Sequence, residues 1–381
     1  MKLMIFFEGV AMLIGTIIGS GYLVLPYSFL QAGVWQNIFW LAFFAFCVTV
    51  LHLLYGEIVV ATEGQHRLPG YVKKYLGEWA EGVVTVSFLL GIFGGLVVYL
   101  LLGVHFLGQL AALFGGLPYP ALLFLFWLIG VIMLFANFKF STKINLVLTI
   151  STLTLFAVIS ALGLLRLNPE HFLIAPTKGL FFPFGLVLYA LIGSLAIPEI
   201  INLLRLERQN LKLIKPIALL GTAIPVLIYL FFSLGIFGVS GPQTSQDAFS
   251  GLAGFLPGWL IYAALLMAFL EIITSYFAFE VSVFQTLKHD FKFTRPTALL
   301  LVALLPVAMF SLGVYDFVKV MGFMGAALTS LDSIFVILVY LSLPRKIQWY
   351  SYQVVRLPKF VAWAMIGLLV IGGVAGSIMS L

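Results

Sequence analysis

An apolar segment close to the N-terminus reads Gly15-Thr16-Ile17-Ile18-Gly19-Ser20-Gly21, and Pro26 follows a few residues later. Glycine inside a helix costs about 1 kcal/mol relative to alanine, so three glycines among seven residues predict an interrupted helix. A second apolar segment, 180–204, carries similar interruptions at Gly185, Gly193-Ser194 and Pro198. The sequence therefore predicts two broken helices, five apolar segments apart.

The composition excludes a soluble protein. Of the 381 residues, 62% are hydrophobic and only 9% are charged, whereas soluble domains carry about 25% charged residues. Such a chain cannot cover a water-facing surface with polar groups. We therefore predict an all-α integral membrane protein with a single transmembrane domain, 1–381, in contact with lipid. The formal net charge of +6 is interpreted as a topology signal, and no nucleic-acid partner is expected.

The apolar segments are long enough to cross a bilayer, which takes about 20 mainly apolar residues in a helix. Polar, charged and proline-rich breaks divide the chain into about eleven such segments. They are predicted at 5–34, 38–61, 83–113, 119–136, 144–165, 180–204, 213–238, 257–286, 297–313, 317–343 and 359–380. The first segment runs past the length of a signal peptide without a cleavage site, so we expect it to be retained.

Lysine and arginine are distributed unevenly between the two sides of the predicted membrane. With a cytoplasmic N-terminus and eleven spans, the 20 Lys and Arg residues all fall on the inner side except Arg166, Lys178 and Lys319. The positive-inside rule therefore predicts a cytoplasmic N-terminus and an external C-terminus. We expect the membrane to be the cytoplasmic membrane of a bacterium or archaeon.

A broken helix inside a membrane frees backbone groups that need partners. The N-terminal end of a half-helix favours an anionic group such as a carboxylate, and freed carbonyls favour a cation. A zwitterionic amino acid supplies both charges, and paired interruptions in two halves are typical of inverted-repeat transporters. The alternative is that the glycines, for example Gly15 and Gly19, only allow close packing of helices.

Several stretches of the chain resemble one family of membrane proteins. Residues 15–21, with Leu25-Pro26-Tyr27 and Ala32-Gly33, look like the first helix of the amino acid/auxin permease family. That family belongs to the amino acid–polyamine–organocation superfamily. Further similar stretches follow in order, namely Tyr71 to Glu81 leading into Gly94-Gly95 and Tyr99 to Gly103, Phe184-Gly185 to Pro198-Glu199, and Thr274-Ser275-Tyr276. Bacterial aromatic amino acid permeases are similar to nearly the same degree.

The resemblance implies a five-plus-five inverted repeat of the LeuT type, roughly 5–165 and 180–343, with an extra helix at 359–380. It implies a secondary active transporter of an amino acid, and the apolar helices slightly favour an apolar or aromatic one. The matching motifs imply a substrate site made of the backbone around Ile17, Gly19, Ser20 and Gly21 for the carboxylate, the carbonyls from Tyr189 to Gly193 for the amino group, and the Tyr99 hydroxyl. Tyr189 is also placed as an aromatic lid.

The same resemblance implies a cation site. In sodium-coupled relatives a cation lies between first-helix carbonyls and eighth-helix hydroxyls, and the matching positions are Gly15, Ile18, Thr274 and Ser275. Glu271 lies three and four residues before these hydroxyls, on nearly the same helix face. A carboxylate there can join the cation site or carry a proton. Na⁺, slightly favoured, and H⁺ are therefore both candidate coupling ions, and no other cofactor is expected.

Ionisable residues inside predicted spans are functional hypotheses by default. Besides Glu271, they are Glu57, Glu199, Glu280, Asp332, His52 and His105. A membrane-embedded enzyme is the main alternative class, and a channel is the second. The sequence contains no His-x-x-x-His, paired-aspartate or Gly-x-Ser-x-Gly motif, so no enzymatic activity is expected.

Overall fold

The structure is a computed structural model that describes residues 2–64, 66–135, 142–206, 211–289, 291–344 and 354–380. The first half of the chain forms the helices α1 (Lys2–Ile17), α2 (Leu25–Ala32), α3 (Val34–Ala61), α4 (Leu68–Leu76), α5 (Glu78–Ala111), α6 (Tyr119–Phe135) and α7 (Thr142–Leu165). The second half forms α8 (Phe182–Leu191), α9 (Ala196–Leu206), α10 (Ile214–Ser240), α11 (Gly258–His289), α12 (Arg295–Ser311), α13 (Phe317–Phe323), α14 (Ser330–Ser342) and α15 (Lys359–Ser380).

The helices agree with the eleven predicted spans. Within the described ranges, seven helical stretches are long and apolar enough to cross a membrane, and a bent pair, Leu3–Ile17 with Ser20–Ala32, adds an eighth. Three shorter apolar helices complete the set, at Tyr119–Phe135, Ile150–Leu165 and Arg295–Ser311. Each of these eleven lies on one predicted segment. The prediction of an all-α membrane protein with interrupted first and sixth spans is therefore confirmed.

One helix was not marked by the apolar segmentation. Between the second and third spans lies α4, which is only nine residues long and is joined to α5 through Gly77. Gly77 has a φ of +91°, which glycine adopts at little cost. The turn brings Nζ of Lys73 on α4 within 2.8 Å of Oε2 of Glu81 on α5, so the two helices are joined by a partly exposed ion pair as well as by the chain.

The tenth span contains a π-helical turn that the sequence did not indicate. Between α13 and α14 the residues Met324–Thr329 follow π-helical geometry. This turn packs against α8, where a Cβ atom on Gly185 would lie 3.0 Å from the Ala326 backbone nitrogen. Gly185 and Gly325 meet backbone to backbone. Two facing glycines thus let α8 and the π-helical turn approach more closely than side chains would allow.

The contacts divide the chain into two compact units, each drawn from both halves of the sequence. The first unit comprises Met1–Leu90, Ala175–Phe231 and Gly322–Leu381. Its core includes Trp40 on α3, whose indole N–H donates to the Leu180 carbonyl at 2.6 Å and whose ring meets Phe184 edge-on at 5.0 Å. This unit contains both broken spans.

The second unit comprises Gly91–Ile174 and Phe232–Met321. Here α7 and α10 pack through small residues, since a Cβ atom on Gly235 would lie 2.8 Å from the Ser160 carbonyl oxygen. The neighbouring rings of Phe156 and Phe232 are 4.7 Å apart. On α6, Trp127 donates its indole N–H to the Ala303 carbonyl at 2.7 Å. Close backbone packing and aromatic contacts therefore both stabilise this unit.

Some of the basic residues that predict the topology are not covered. Lys139, Arg208, Arg345 and Lys346 lie outside the described residues. The division into inverted repeats at 5–165 and 180–343 and the orientation of the termini remain predictions.

Candidate functional site

The first span breaks at the centre of its glycine-rich stretch. Helix α1 ends at Ile17, and a 3-10 turn, Ser20–Val24, leads into α2. The two parts of the span are bent by 50°. Gly19, between them, has φ −116° and ψ −139° and donates its N–H to the Ile17 carbonyl at 2.9 Å. The chain therefore leaves the helix where the three glycines predicted.

The sixth span breaks at Gly193. Helix α8 ends at Leu191, and Ile192 then has φ −72° and ψ 124°, outside the helical region. The Ile192 N–H still donates to the Leu188 carbonyl at 3.2 Å. Helix α9 begins at Ala196, whose N–H donates to the Gly193 carbonyl at 3.0 Å. The non-helical segment is thus only four residues long, and Gly193 lies within it.

The two breaks touch each other within the first unit. A Cβ atom on Gly21 would lie 2.6 Å from the Cα atom of Ala190, and a Cβ atom on Gly193 would lie 2.6 Å from Cγ1 of Ile17. Contacts this short are not tolerated, and at Gly21 the obstructing atom is backbone. Glycine at this position is therefore required by the approach of the two segments. Three predicted site residues, Ile17, Gly21 and Gly193, meet here.

Tyr229 on α10 connects both breaks and was missed by sequence reasoning. Its side chain is fully buried, and its hydroxyl lies 2.9 Å from the Ile17 carbonyl oxygen and 3.3 Å from that of Ala190. Carbonyl groups freed by helix breaks need such donors in a membrane. In the sequence, Tyr229 is only a single tyrosine in an apolar span. No motif or spacing connects it with either break, so only the fold reveals its role.

Ser20 and Tyr189, both predicted as substrate residues, lie side by side. The Ser20 hydroxyl is 3.4 Å from the Tyr189 hydroxyl. Ser20 is buried, at 3% exposure, whereas Tyr189 is only partly buried. A phenol ring therefore lies next to the first break, in polar contact with Ser20; the role of Tyr189 as an aromatic lid stays a prediction.

Tyr99 lies in the second unit, on α5. Its ring is 5.9 Å from that of Phe279 on α11. One helical turn earlier, a Cβ atom on Gly95 would lie 2.7 Å from Cε1 of Phe279. Gly95 and Phe279 thus set the distance between α5 and α11 at the level of Tyr99. The role of the Tyr99 hydroxyl near a carboxylate stays a prediction.

The predicted cation-site residues are divided between the units. Glu271, Thr274 and Ser275 lie on α11 in the second unit and are all partly exposed, whereas Gly15 and Ile18 belong to the first. The Thr274 hydroxyl donates to the Leu270 and Glu271 carbonyls, each at 3.0 Å. Its proton is thereby directed into its own helix, and its role in a cation site stays a prediction.

His105 pairs with a residue that the sequence did not single out. Its Nε2 lies 2.8 Å from Oδ2 of Asp247, in the loop that follows α10. The same carboxylate accepts hydrogen bonds from the Ser245 and Ser250 hydroxyls. Burial raises the pKa of Asp247, but the bond and charge of His105 and the two serine hydroxyls outweigh it and lower the pKa to about 2. His105 therefore ties this loop to α5.

Glu57, Glu280 and Glu199, three further acids in predicted spans, have different surroundings. Glu57 is buried and accepts the backbone N–H groups of Val354 and Val355, which anchors the segment before α15 to α3. Glu280 is fully buried on α11, facing Gly130 of α6. Glu199 is exposed in the first turn of α9. Among the described residues, no three His, Cys, Asp or Glu side chains group as a metal site.

The chain that contains these two breaks matches a known protein family. Residues 5–381, nearly the whole chain, match the family model described as transmembrane amino acid transporter protein. The chain belongs to this amino acid transporter family. Transport, and not an enzymatic reaction, is the activity of the family, and the predicted kinship with amino acid permeases is confirmed. No curated protein sequence matches this transporter significantly.

Several solved structures share the fold of this chain. The manganese transporter of Eremococcus coleocola, in complex with an aromatic bis-isothiourea compound, is similar with a TM-score of 0.67 at 12% identity, over 98% of this chain and 86% of the other. The inward-facing conformation of Mhp1 gives a TM-score of 0.66 at 15% identity, over 98% and 88%. Mhp1, a nucleobase-cation-symport-1 family transporter, closed with bromovinylhydantoin bound, gives 0.61 at 15%, over 98% and 91%. These similarities establish the LeuT-type transporter fold.

Proposed function

We propose that the protein is a secondary active transporter that carries an amino acid across the cytoplasmic membrane, coupled to a cation, by alternating access. The observation that carries this proposal is the contact between the two helix breaks, where Gly21 meets Ala190. The backbone of the first break and the backbone of the sixth span lie close together there. A zwitterion has a complementary group for each.

The substrate carboxylate is assigned to the first break. The leading N–H groups of the turn Ser20–Val24 have no acceptor within the turn itself, and the N-terminal end of a helix carries partial positive charge. Backbone atoms of Ile17, Gly19 and Gly21 and the Ser20 hydroxyl would surround the carboxylate. Tyr99 would add a hydroxyl donor.

The substrate amino group is assigned to the sixth-span break, between Tyr189 and Gly193. Tyr229 has one hydroxyl proton but lies near two carbonyl oxygens, and the Ile17 oxygen is the nearer. The Ala190 carbonyl can therefore accept a further donor. An ammonium group carries three N–H donors and suits such an acceptor.

An apolar or aromatic amino acid is the favoured substrate class. The Tyr189 ring is held beside the first break by Ser20, where it can cover a bound side chain. An aromatic substrate ring would gain about 0.5–1.5 kcal/mol from an edge or offset contact with Tyr189 beyond its burial.

Coupling is assigned to a cation bound by Gly15 and Ile18 carbonyls together with Thr274 and Ser275 hydroxyls, with Na⁺ slightly favoured over H⁺. The Thr274 hydroxyl donates its proton within its own helix, so its oxygen can offer a lone pair to Na⁺, which hard oxygen donors suit. Glu271, on the same helix, is the residue that would carry a proton instead.

Transport by purified protein in proteoliposomes tests this function. A carrier shows saturable uptake and accelerated exchange when unlabelled substrate is preloaded, whereas a channel shows no such exchange. A competition screen of the twenty protein amino acids against radiolabelled L-phenylalanine or L-leucine then defines the substrate. Mn²⁺ and a hydantoin belong in the same screen, because a manganese transporter and a transporter with bromovinylhydantoin bound share the fold. Uptake of Mn²⁺ or the hydantoin by protein that takes up neither labelled amino acid would refute the amino acid assignment.

A further inference from the structure

His52 lies in the middle of α3 and is fully buried, at 0% exposure. Both of its ring nitrogens are hydrogen-bonded within the first unit. Nε2 lies 3.1 Å from the backbone nitrogen of Gly193, at the break of the sixth span. Nδ1 lies 3.1 Å from the hydroxyl oxygen of Thr222 on α10, which is also fully buried.

These two contacts assign the protonation of the ring. A backbone N–H can only donate, so Nε2 must offer its lone pair to Gly193. A neutral imidazole then carries its proton on Nδ1 and donates it to Thr222. A doubly protonated ring would bring two N–H groups face to face at Gly193. The hydrogen-bond network therefore requires the neutral Nδ1–H form.

The Gly193 N–H is the first one that α8 fails to use. The N–H of Ile192 donates to the carbonyl of Leu188, four residues earlier, as in a regular helix. In a continuing helix the next bond would join the Gly193 N–H to the Tyr189 carbonyl. His52 takes that N–H instead, which removes the helical donor from the Tyr189 carbonyl.

We infer that His52 is a positioning residue for the substrate amino group, because it captures the Gly193 N–H and so keeps the Tyr189 carbonyl open to the substrate. This inference rests on the proposed amino acid transport. His52 does not touch the substrate; it acts through Gly193 and Tyr189. Thr222 completes the arrangement by holding the ring in the required tautomer, much as outer partners orient histidines at metal sites.

Two conservative substitutions separate capture of the N–H from simple filling of space. In His52→Gln the amide oxygen reaches the position of Nε2 and can accept from Gly193. In His52→Asn the amide ends near the position of Nδ1, so the Gly193 N–H loses its acceptor. Thr222→Val keeps the shape of its site but removes the acceptor for Nδ1–H.

The probes are L-phenylalanine and its deaminated analogue 3-phenylpropanoate, or L-leucine and 4-methylpentanoate if leucine is carried faster. In His52→Asn we expect the KM for the amino acid to rise about tenfold or more, as for a lost hydrogen bond to a charged group. Inhibition by the deaminated analogue should change less than about twofold, since it has no amino group. His52→Gln should restore most of the KM, and Thr222→Val should be intermediate.

Equal KM values in the Gln and Asn variants would reduce His52 to a packing residue and overturn the inference. A parallel loss of inhibition by the deaminated analogue would overturn it as well, because the amino group would not be involved. If His52→Asn fails to insert, Thr222→Val decides, and an unchanged KM there counts against the inference. Wild-type protein that carries none of the twenty amino acids would refute the proposed function itself.

Discussion

The hydroxyl of Tyr229 donates to the carbonyl oxygen of Ile17 at 2.9 Å. A side chain of the seventh span therefore supplies a hydrogen-bond donor to the last residue of α1, in the first span. Tyr229 is fully buried, and water is not available there to replace its hydroxyl. The break in the first span is therefore stabilised by a residue more than two hundred positions away in the chain.

Tyr229→Phe tests this bond. The substitution removes one of the two donors to the Ile17 carbonyl, the other being the Gly19 N–H, and the loss of one such hydrogen bond costs about 0.5–1.5 kcal/mol. We expect lower thermal stability and at least about fivefold slower amino acid uptake, measured in detergent and in proteoliposomes respectively. Tyr262→Phe is the control, because Tyr262 on α11 is 48% exposed. Equal effects of the two substitutions would contradict a special role for Tyr229.

Gly21→Ala should reduce uptake to background while the protein still inserts. The added methyl group would meet the Ala190 backbone at 2.6 Å, and the two breaks would have to separate. Gly367→Ala on α15 is the matched control, since its added methyl meets no atom within 4 Å. Near-normal uptake by Gly21→Ala would remove the contact of the two breaks as the substrate site.

Sodium coupling predicts that uptake rises with external Na⁺ at fixed pH. Thr274→Ala and Ser275→Ala should then raise the Na⁺ concentration needed for half-maximal uptake, because each removes a hydroxyl ligand. Thr154→Ala is the control, as Thr154 makes the same kind of bond to its own helix, at 2.8 Å from the Ile150 carbonyl, on an exposed face.

Proton coupling predicts the opposite pattern. Uptake would follow the pH gradient without Na⁺, and Glu271→Gln would abolish accumulation while exchange persists. Accumulation that is independent of Na⁺ and survives substitution of Glu271, Thr274 and Ser275 would exclude both forms of the site.

Acidification should remove the contribution of Asp247 to stability. Its pKa is lowered from 3.8 to about 2 in the folded protein, so its ionised form stabilises the fold above the unfolded pKa by about 2 kcal/mol. That contribution is lost as the pH falls from about 4 to about 2. Unfolding of wild type and Asp247→Asn, followed across this range, should differ most near neutral pH and converge in acid. A constant difference would show that ionisation of Asp247 is not the cause.

A reporter fused after Leu381 tests the predicted orientation. With eleven spans and a cytoplasmic N-terminus, an enzyme that folds only outside the cell should be active there, and one that works only in the cytoplasm should be inactive. Activity of the cytoplasmic reporter would mean that the number of spans is even.

The spans and both breaks could be predicted because each is determined by residues that are adjacent in sequence. Bilayer thickness sets the length of each apolar run, and the glycines near Gly19 and Gly193 weaken the helix at their own positions. The partners of the freed backbone groups could not be predicted in this way. Tyr229 and His52 lie in spans that are apolar on every face, so periodicity does not show which way they point. Asp247 lies in a connecting loop, and its pairing with His105 depends on how that loop folds back.

The π-helical turn at Met324–Thr329 changes how residues in the tenth span are to be counted. A π-turn accommodates one more residue than an α-helical turn, so everything after it, including Asp332, is rotated by about 100° relative to an uninterrupted α-helix. Deleting one residue within the turn would therefore redirect the whole of α14 while leaving its amino acids unchanged. Related chains that lack the π-helical turn should show a one-residue gap here when aligned with this chain. An alignment without that gap would pair residues that face different neighbours.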